Sequence, residues 1–71
     1  MERDFTACMQ CFDQASGKTG DFIYRNSDKV TISPVFSHFG QLLNWMKENG
    51  YKLEEHYASG YIPFNVVKIN P

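Results

Sequence analysis

The sequence lacks the features that most directly indicate a partner or a cellular location. Seven Lys and Arg stand against eight Asp and Glu, so the formal charge is −1 and there is no basic excess typical of duplex-binding proteins. No apolar run approaches the length of about 18 residues that a membrane-spanning helix needs. Residues 1–4 are charged where a secretory signal would become apolar. We therefore expect a cytoplasmic protein that contacts no membrane.

Cysteine is scarce, with Cys8 and Cys11 the only two in the chain. Their spacing is that of half a zinc site or of a redox pair. A zinc site needs two further ligands, and His38 and His56 lie far along the chain without a short-spaced partner. Without a secretory signal, the cysteines are interpreted as reduced thiols that pack as small hydrophobic side chains. The sequence predicts no bound metal and no cofactor.

Catalytic motifs are also missing. Neither histidine has sequence neighbours that complete a nucleophile–base pair, and no Gly-x-Ser-x-Gly turn occurs. Residues 17–19 read Gly-Lys-Thr, as at the end of a phosphate-binding loop, but the first glycine of that motif is replaced by Phe12. The sequence therefore predicts a protein that is not an enzyme.

One helix is indicated at both ends and along its length. Apolar residues recur at the i, i+3, i+4, i+7 spacing that places them on one side of a helix, namely at Phe39, Leu42, Leu43 and Met46. Ser37 precedes them as a candidate N-cap, and Gly50 follows as a residue that can end a helix in the left-handed conformation. These signals predict a helix over residues 37–50 whose apolar stripe covers a sheet.

The remaining segments resemble strands. Alternating or β-favouring residues predict strands at 21–25, 30–36 and 51–57, with a turn at 26–28. A last strand is predicted at 64–69, where the consecutive Val66 and Val67 indicate burial on both faces and a central place in the sheet. Residues 58–60 read as the turn before it.

Residues 3–16 fit two periods. Helical spacing joins Phe5, Cys8, Met9 and Phe12, whereas alternation joins Phe5, Ala7, Met9 and Cys11. The helical interpretation is slightly favoured, and a strand is the alternative.

Together these elements predict a single α+β domain over residues 1–71. A sheet of about four antiparallel strands packs against the main helix in two layers, with a second helix at 3–16 as the favoured addition. A chain of 71 residues buries a small core, and small chains often gain stability from a second copy. We therefore expect a homo-oligomer.

A partner-binding surface is predicted on one flank of the helix. A turn of 100° per residue groups Trp45 with polar side chains beside the apolar stripe, namely His38, Gln41 and Asn49. A half-exposed tryptophan with a polar rim is typical of an interface hot spot. The alternative is that Trp45 closes the edge of the small core.

The alternative function is single-stranded nucleic-acid binding. Aromatic residues on or beside predicted strands can stack on bases, and the candidates are Tyr24, Arg25, Tyr51, Tyr57 and Tyr61. Basic residues are not interleaved with them as in an RRM, so protein binding is favoured.

A compact, near-neutral domain without a catalytic motif is similar in kind to the small accessory proteins of phages and mobile elements. That similarity implies a binding protein that inhibits or redirects a larger protein machine of a host. It transfers no residue, and the partner's identity stays open.

Overall fold

The computed structural model describes residues 2–54 and 64–69. They form, in chain order, strand β1 (Glu2–Asp13), strand β2 (Lys18–Arg25), helix α1 (Phe39–Asn49), strand β3 (Tyr51–Leu53) and strand β4 (Phe64–Lys68). Neighbouring strands are antiparallel in the order β2-β1-β4-β3. The helix packs on one face of this sheet, which confirms the predicted two-layer α+β architecture.

Strand β4 lies in the interior of the sheet, between β1 and β3, as the sequence predicted. Val66 and Val67 are each 1% exposed although they point to opposite faces. On β3, Tyr51 and Leu53 pack against the core while Lys52 is exposed. Tyr57 and the predicted turn at 58–60 lie outside the described residues.

The helical interpretation of residues 3–16 is wrong, because Glu2–Asp13 is strand β1. Phe5, Ala7 and Met9 alternate toward the helix, as the strand alternative required. An irregularity in the pairing between Cys8 and Cys11 then interrupts the alternation. Phe12 follows this break, three residues after Met9, and so completes the apparent helical spacing of apolar residues.

The strand predicted at 30–36 is reduced to two isolated bridges along the outer edge of β2. Thr31 bridges Tyr24, and Phe36 bridges Asp21 through two backbone hydrogen bonds of 2.8 and 2.9 Å. Between them, the Ser33 hydroxyl accepts a hydrogen bond from the Ile23 N–H at 2.9 Å. A side chain therefore replaces a ladder bond beside Pro34, and a continuous strand does not form.

Helix α1 begins one residue later than predicted and buries a slightly different face. Its N-cap is His38 rather than Ser37, and no side chain caps it, while Gly50 ends it with φ 83° as expected. Leu42 and Met46 are buried, but Leu43 is 41% exposed and does not belong to the covering face. Trp45 packs against the core in its place. Among the described residues, no helix has the length and apolar character needed to cross a membrane.

The core lies between the sheet and α1. Its buried members are Phe5, Ala7, Ile23, Leu42, Met46, Phe64 and Val66. Three of these residues come from the β1–β2 hairpin and two from β4, so the core fixes the orientation of the hairpin at its base. The tip of the hairpin lies outside this core and can form a separate surface.

Candidate functional site

A β-bulge separates the base of the β1–β2 hairpin from its tip. Cys8 pairs with Phe22 and Cys11 pairs with Gly20, so two residues of β1 lie opposite Asp21 alone. An extra residue of this kind bends the strand and increases its twist. The bulge therefore directs the hairpin tip away from the plane of the sheet.

The backbone at the bulge is held in an uncommon conformation. Gln10 has φ 56°, in the left-handed region that residues other than glycine seldom adopt. The carboxylate of Asp21, which is 3% exposed, accepts a hydrogen bond from the Gln10 N–H at 3.0 Å. A buried side chain on β2 thus stabilises the bulge on β1.

Cys8 and Cys11 form a disulfide across the bulge, with their Cα atoms 6.0 Å apart. In a regular strand, residues three apart point to opposite faces. The extra residue of the bulge brings both cysteines to the face away from the helix. The interpretation of these residues as reduced thiols is wrong for this structure, because neither is free.

The disulfide closes a very short loop. Its sequence separation of three residues corresponds to an entropic stabilisation of about 2 kcal/mol in the chain-entropy model, toward the low end for disulfides. The core described above contributes far more, since one buried leucine is worth a comparable amount. The cross-link is therefore a local feature of the hairpin rather than the main support of the fold.

The bent hairpin tip encloses a cleft on the face of the sheet opposite the helix. This hairpin cleft has a volume of about 600 Å³, and its main lining residues are Cys11, Phe12, Phe22, Tyr24, Val30 and Thr31. Cavities that bind small molecules or side chains have volumes of this order. The walls are mostly aromatic and aliphatic.

Two apolar side chains at the hairpin cleft are unusually exposed. Phe12 is 61% exposed and Val30 is 47% exposed, whereas Phe22 beneath them is buried. Exposed apolar side chains that adjoin one another mark interaction surfaces more often than isolated ones do. The sequence did not predict either residue as part of a site.

Asp13 ties the hairpin tip to the far wall of the cleft. The Thr31 hydroxyl donates a hydrogen bond to one carboxylate oxygen at 2.6 Å, and the Ser16 hydroxyl donates to the other at 2.7 Å. The Ser16 N–H adds a third bond at 3.2 Å. These donors favour the ionised form, with Thr31 the largest influence, and hold the pKa of Asp13 below its ordinary value of 3.8.

These hydrogen bonds from Thr31 and Ser16, called the Asp13 clasp below, predict that the protein loses stability in acid. A carboxyl whose pKa is lower in the folded state contributes stability that is complete above its unfolded pKa. That stability is lost as the pH falls below 3.8 and through the lower folded value. We expect Thr31→Val to raise the Asp13 pKa toward its ordinary value and to weaken this acid dependence. An NMR titration of the carboxyl carbon checks the pKa, and unchanged titration in the variant would contradict the clasp.

One cation lies on the wall of the hairpin cleft. Lys29 adopts φ 61° after the tight turn at 26–28, and its ammonium lies 5.4 Å from the centroid of the Tyr24 ring. Among the described residues it forms no ion pair, whereas Arg25 is paired with Asp28 at 2.8 Å. An ammonium over an aromatic ring is held in place yet still able to meet an anion.

A smaller apolar patch lies at the end of the helix. Leu43 and Ile69, 41% and 44% exposed, flank a hollow of about 360 Å³ together with Leu53 and Tyr51. It lacks the bulge, the disulfide and the clasp that shape the hairpin cleft. We therefore treat the hairpin cleft as the candidate site.

The helix flank predicted as the partner-binding surface is only partly free. His38, Gln41 and Asn49 are exposed, and Trp45 is half-buried. The indole stacks on the Tyr51 ring with centroids 5.5 Å apart and an interplanar angle of 18°. One face of the tryptophan thus closes the edge of the core, and partner binding through the flank stays a prediction.

The residues proposed for nucleic-acid binding are not all on one face. Tyr24 lies opposite Thr6, on the face away from the helix, and Arg25 is engaged with Asp28. The Tyr51 ring contacts Phe5 edge to face at 5.2 Å, on the helix side. Tyr24 and Tyr51 therefore do not share a platform. Tyr57 and Tyr61 lie outside the described residues, and nucleic-acid binding stays a prediction.

Within residues 2–54 and 64–69, no group of three or more His, Cys, Asp and Glu side chains is arranged to hold a metal ion. Comparison with protein-family models, curated proteins and solved structures gives no match to the chain. The functional interpretation therefore depends on the geometry of the hairpin cleft itself.

Proposed function

We propose that the chain is a non-enzymatic protein-interaction domain that binds an extended segment of a partner protein in the hairpin cleft. The observation that carries this proposal is the exposure of Phe12 and Val30, 61% and 47%, around a cleft with aromatic walls. Leaving such side chains in water gains nothing for the fold. Covering them with a partner's apolar side chain contributes about 1.5–3 kcal/mol for each one fully buried.

The partner segment is expected to carry a large apolar side chain with a carboxylate beside it. The apolar side chain fills the space above Phe22 between the two exposed residues. The carboxylate meets Lys29, which has no ion-pair partner among the described residues. Asp13 is also negatively charged, and its oxygens already accept hydrogen bonds from Thr31 and Ser16, so the partner carboxylate is expected at Lys29 and away from Asp13.

Several finer parts of the proposal come from the sequence. They are an inhibitory or redirecting role toward a larger host machine, as in phage accessory proteins, a cytoplasmic location and self-association. The small patch around Leu43 and Ile69 offers a surface for a second copy. Single-stranded nucleic-acid binding is the alternative function, and of the two candidate tyrosines in the described part of the chain, Tyr24 lies at the hairpin cleft.

Selection from a random peptide library on the immobilised protein tests the proposal. We expect enriched peptides to share an apolar residue next to Asp or Glu. Phe12→Ser should weaken their binding by about tenfold or more, as truncation of a hot spot does. Leu43→Ser is the matched control, since it removes another exposed apolar side chain, 41% exposed, from the patch around Leu43 and Ile69. Calorimetric titration measures both.

Equal affinity of the Phe12→Ser variant and the parent protein would contradict the site. Loss of binding in the Leu43→Ser variant alone would assign the interaction to the helix-end patch. A single-stranded oligonucleotide that competes with the peptides in a strongly salt-dependent manner would favour the nucleic-acid alternative.

A further inference from the structure

We propose that the Cys8–Cys11 disulfide is a thiol–disulfide exchange site, attacked at Cys11 from the hairpin cleft by a dithiol. Cys11 lines the cleft, and both cysteines lie between the buried and exposed extremes. Access of this kind is what an attacking thiolate requires. The substrate class is a protein or small-molecule dithiol.

The place of the disulfide in the fold supports exchange over a purely structural role. It closes a loop of three residues, so its contribution to stability is limited, and it lies outside the core. Breaking it leaves the contacts of Phe5, Ala7 and Ile23 with the helix in place. The folded protein can therefore hold both the oxidised and the reduced state.

The exchange proceeds in two balanced steps. A thiolate of the dithiol attacks Cys11 Sγ, a mixed disulfide forms, and Cys8 Sγ leaves as a thiolate that takes a proton from water. The second thiol of the dithiol is deprotonated and attacks the first sulfur of the same dithiol, which is bonded to Cys11 Sγ. This step releases the Cys11 thiolate. Two electrons pass to the protein, and the dithiol becomes a disulfide.

Reduction changes the wall of the hairpin cleft. The disulfide spans the bulge in which Gln10 keeps φ 56°, and that conformation persists only where surrounding contacts enforce it. In the reduced protein the Gln10–Asp21 hydrogen bond at 3.0 Å remains as the main local restraint. Phe12 and Asp13 follow the bulge directly, so their positions shift when it relaxes. The effect of this shift on peptide binding rests on the proposed function, whereas the exchange chemistry and the shift itself do not.

Single-cysteine variants test, without any partner, which of the two sulfurs can form a mixed disulfide from the cleft. Cys8→Ser leaves the Cys11 thiol at the cleft, and Cys11→Ser leaves the Cys8 thiol. Each is incubated with oxidised glutathione, and the mixed disulfide is followed by mass spectrometry. We expect the Cys8→Ser variant to react about tenfold faster, because its thiol faces the cleft. Equal rates, or faster reaction of the Cys11→Ser variant, would overturn attack at Cys11.

Dithiothreitol titration of the full chain tests exchange in the folded state. Alkylation counts the free thiols, and circular dichroism follows the fold in the same samples. We expect both thiols to become alkylated while the circular dichroism is unchanged. Reduction that occurs only together with unfolding would overturn the exchange site.

NMR of the reduced and oxidised proteins separates the change of the cleft wall on reduction from the binding function. We expect backbone amide shifts at Phe12, Asp13 and Thr31, with the helix signals unmoved. If reduction occurs without these shifts, the proposed change of the cleft wall is overturned while the exchange site stands. If the shifts occur but neither state enriches peptides with an apolar residue next to Asp or Glu, the proposed binding function fails and the exchange site stands.

Discussion

Leu42→Ala is expected to lower the free energy of unfolding by about 2–5 kcal/mol. Leu42 is 0% exposed and lies between α1 and the sheet, where it belongs to the core with Met46 and Ile23. Removing its side chain loses apolar contacts and leaves a cavity that a rigid sheet cannot close. Urea unfolding followed by circular dichroism measures the effect.

Leu43→Ala is the matched control, since it makes the same chemical change one residue along the same helix. Leu43 is 41% exposed, so its truncation is expected to change stability by about 1 kcal/mol or less. The periodicity of the sequence assigns both leucines to one buried stripe. Similar losses in the two variants would show that the helix covers the sheet with that stripe and that the described orientation is wrong.

Gly20→Ala is expected to destabilise the hairpin by about 1–3 kcal/mol through overpacking. A Cβ added at Gly20 would lie 2.5 Å from the carbonyl oxygen of Phe36 and 2.7 Å from Cγ1 of Val35. The same Phe36 carbonyl accepts the Asp21 N–H at 2.8 Å, so moving it weakens a bridge that holds the 30–36 segment on the edge of β2. Thermal unfolding measures the cost.

Gly40→Ala makes the same substitution at another glycine and is not expected to lower stability. Gly40 lies in the first turn of α1, and an added Cβ meets no atom within 4 Å. Alanine in a helix is favoured over glycine by up to about 1 kcal/mol, so this variant should be as stable as the parent or more so. A stable Gly20→Ala variant would contradict the close approach of residues 35–36 to β2.

The helix and the central strand could be predicted because their signals are local. The spacing of Leu42 and Met46 and the terminal Gly50 define α1, and the consecutive Val66 and Val67 define a strand buried on both faces. The position of Leu43 could not be predicted in this way. Which neighbours of a stripe become covered depends on how the helix is rotated on the sheet, and Tyr51 draws Trp45 inward by stacking.

Strand β1 shows a different limit of local patterns. Its alternation holds from Phe5 to Met9 and is then broken by one extra residue. The bulge depends on Asp21, a residue on another strand whose carboxylate binds the Gln10 N–H. A strand with a bulge imitates helical spacing, because the inserted residue turns one step of two into a step of three, as from Cys8 to Cys11.

The hairpin cleft could not be predicted from the sequence because its parts are brought together by tertiary contacts. Phe12 and Val30 are 18 positions apart and carry no motif. Both line the hairpin cleft because the bulge bends the hairpin tip and because the Thr31 hydroxyl donates a hydrogen bond to Asp13 at 2.6 Å. In the sequence, Phe12 is assigned only to the apparent helical spacing, which predicts a buried helix face and not a site.

The most direct test of the account is an NMR map of peptide binding. A labelled sample of the oxidised protein is titrated with a selected peptide that carries an apolar residue beside Asp or Glu, and backbone amide shifts are followed. We predict that the shifts concentrate at Phe12, Tyr24, Lys29 and Val30. Shifts that concentrate on the helix flank around Trp45, with the hairpin tip unmoved, would contradict the hairpin cleft as the binding site.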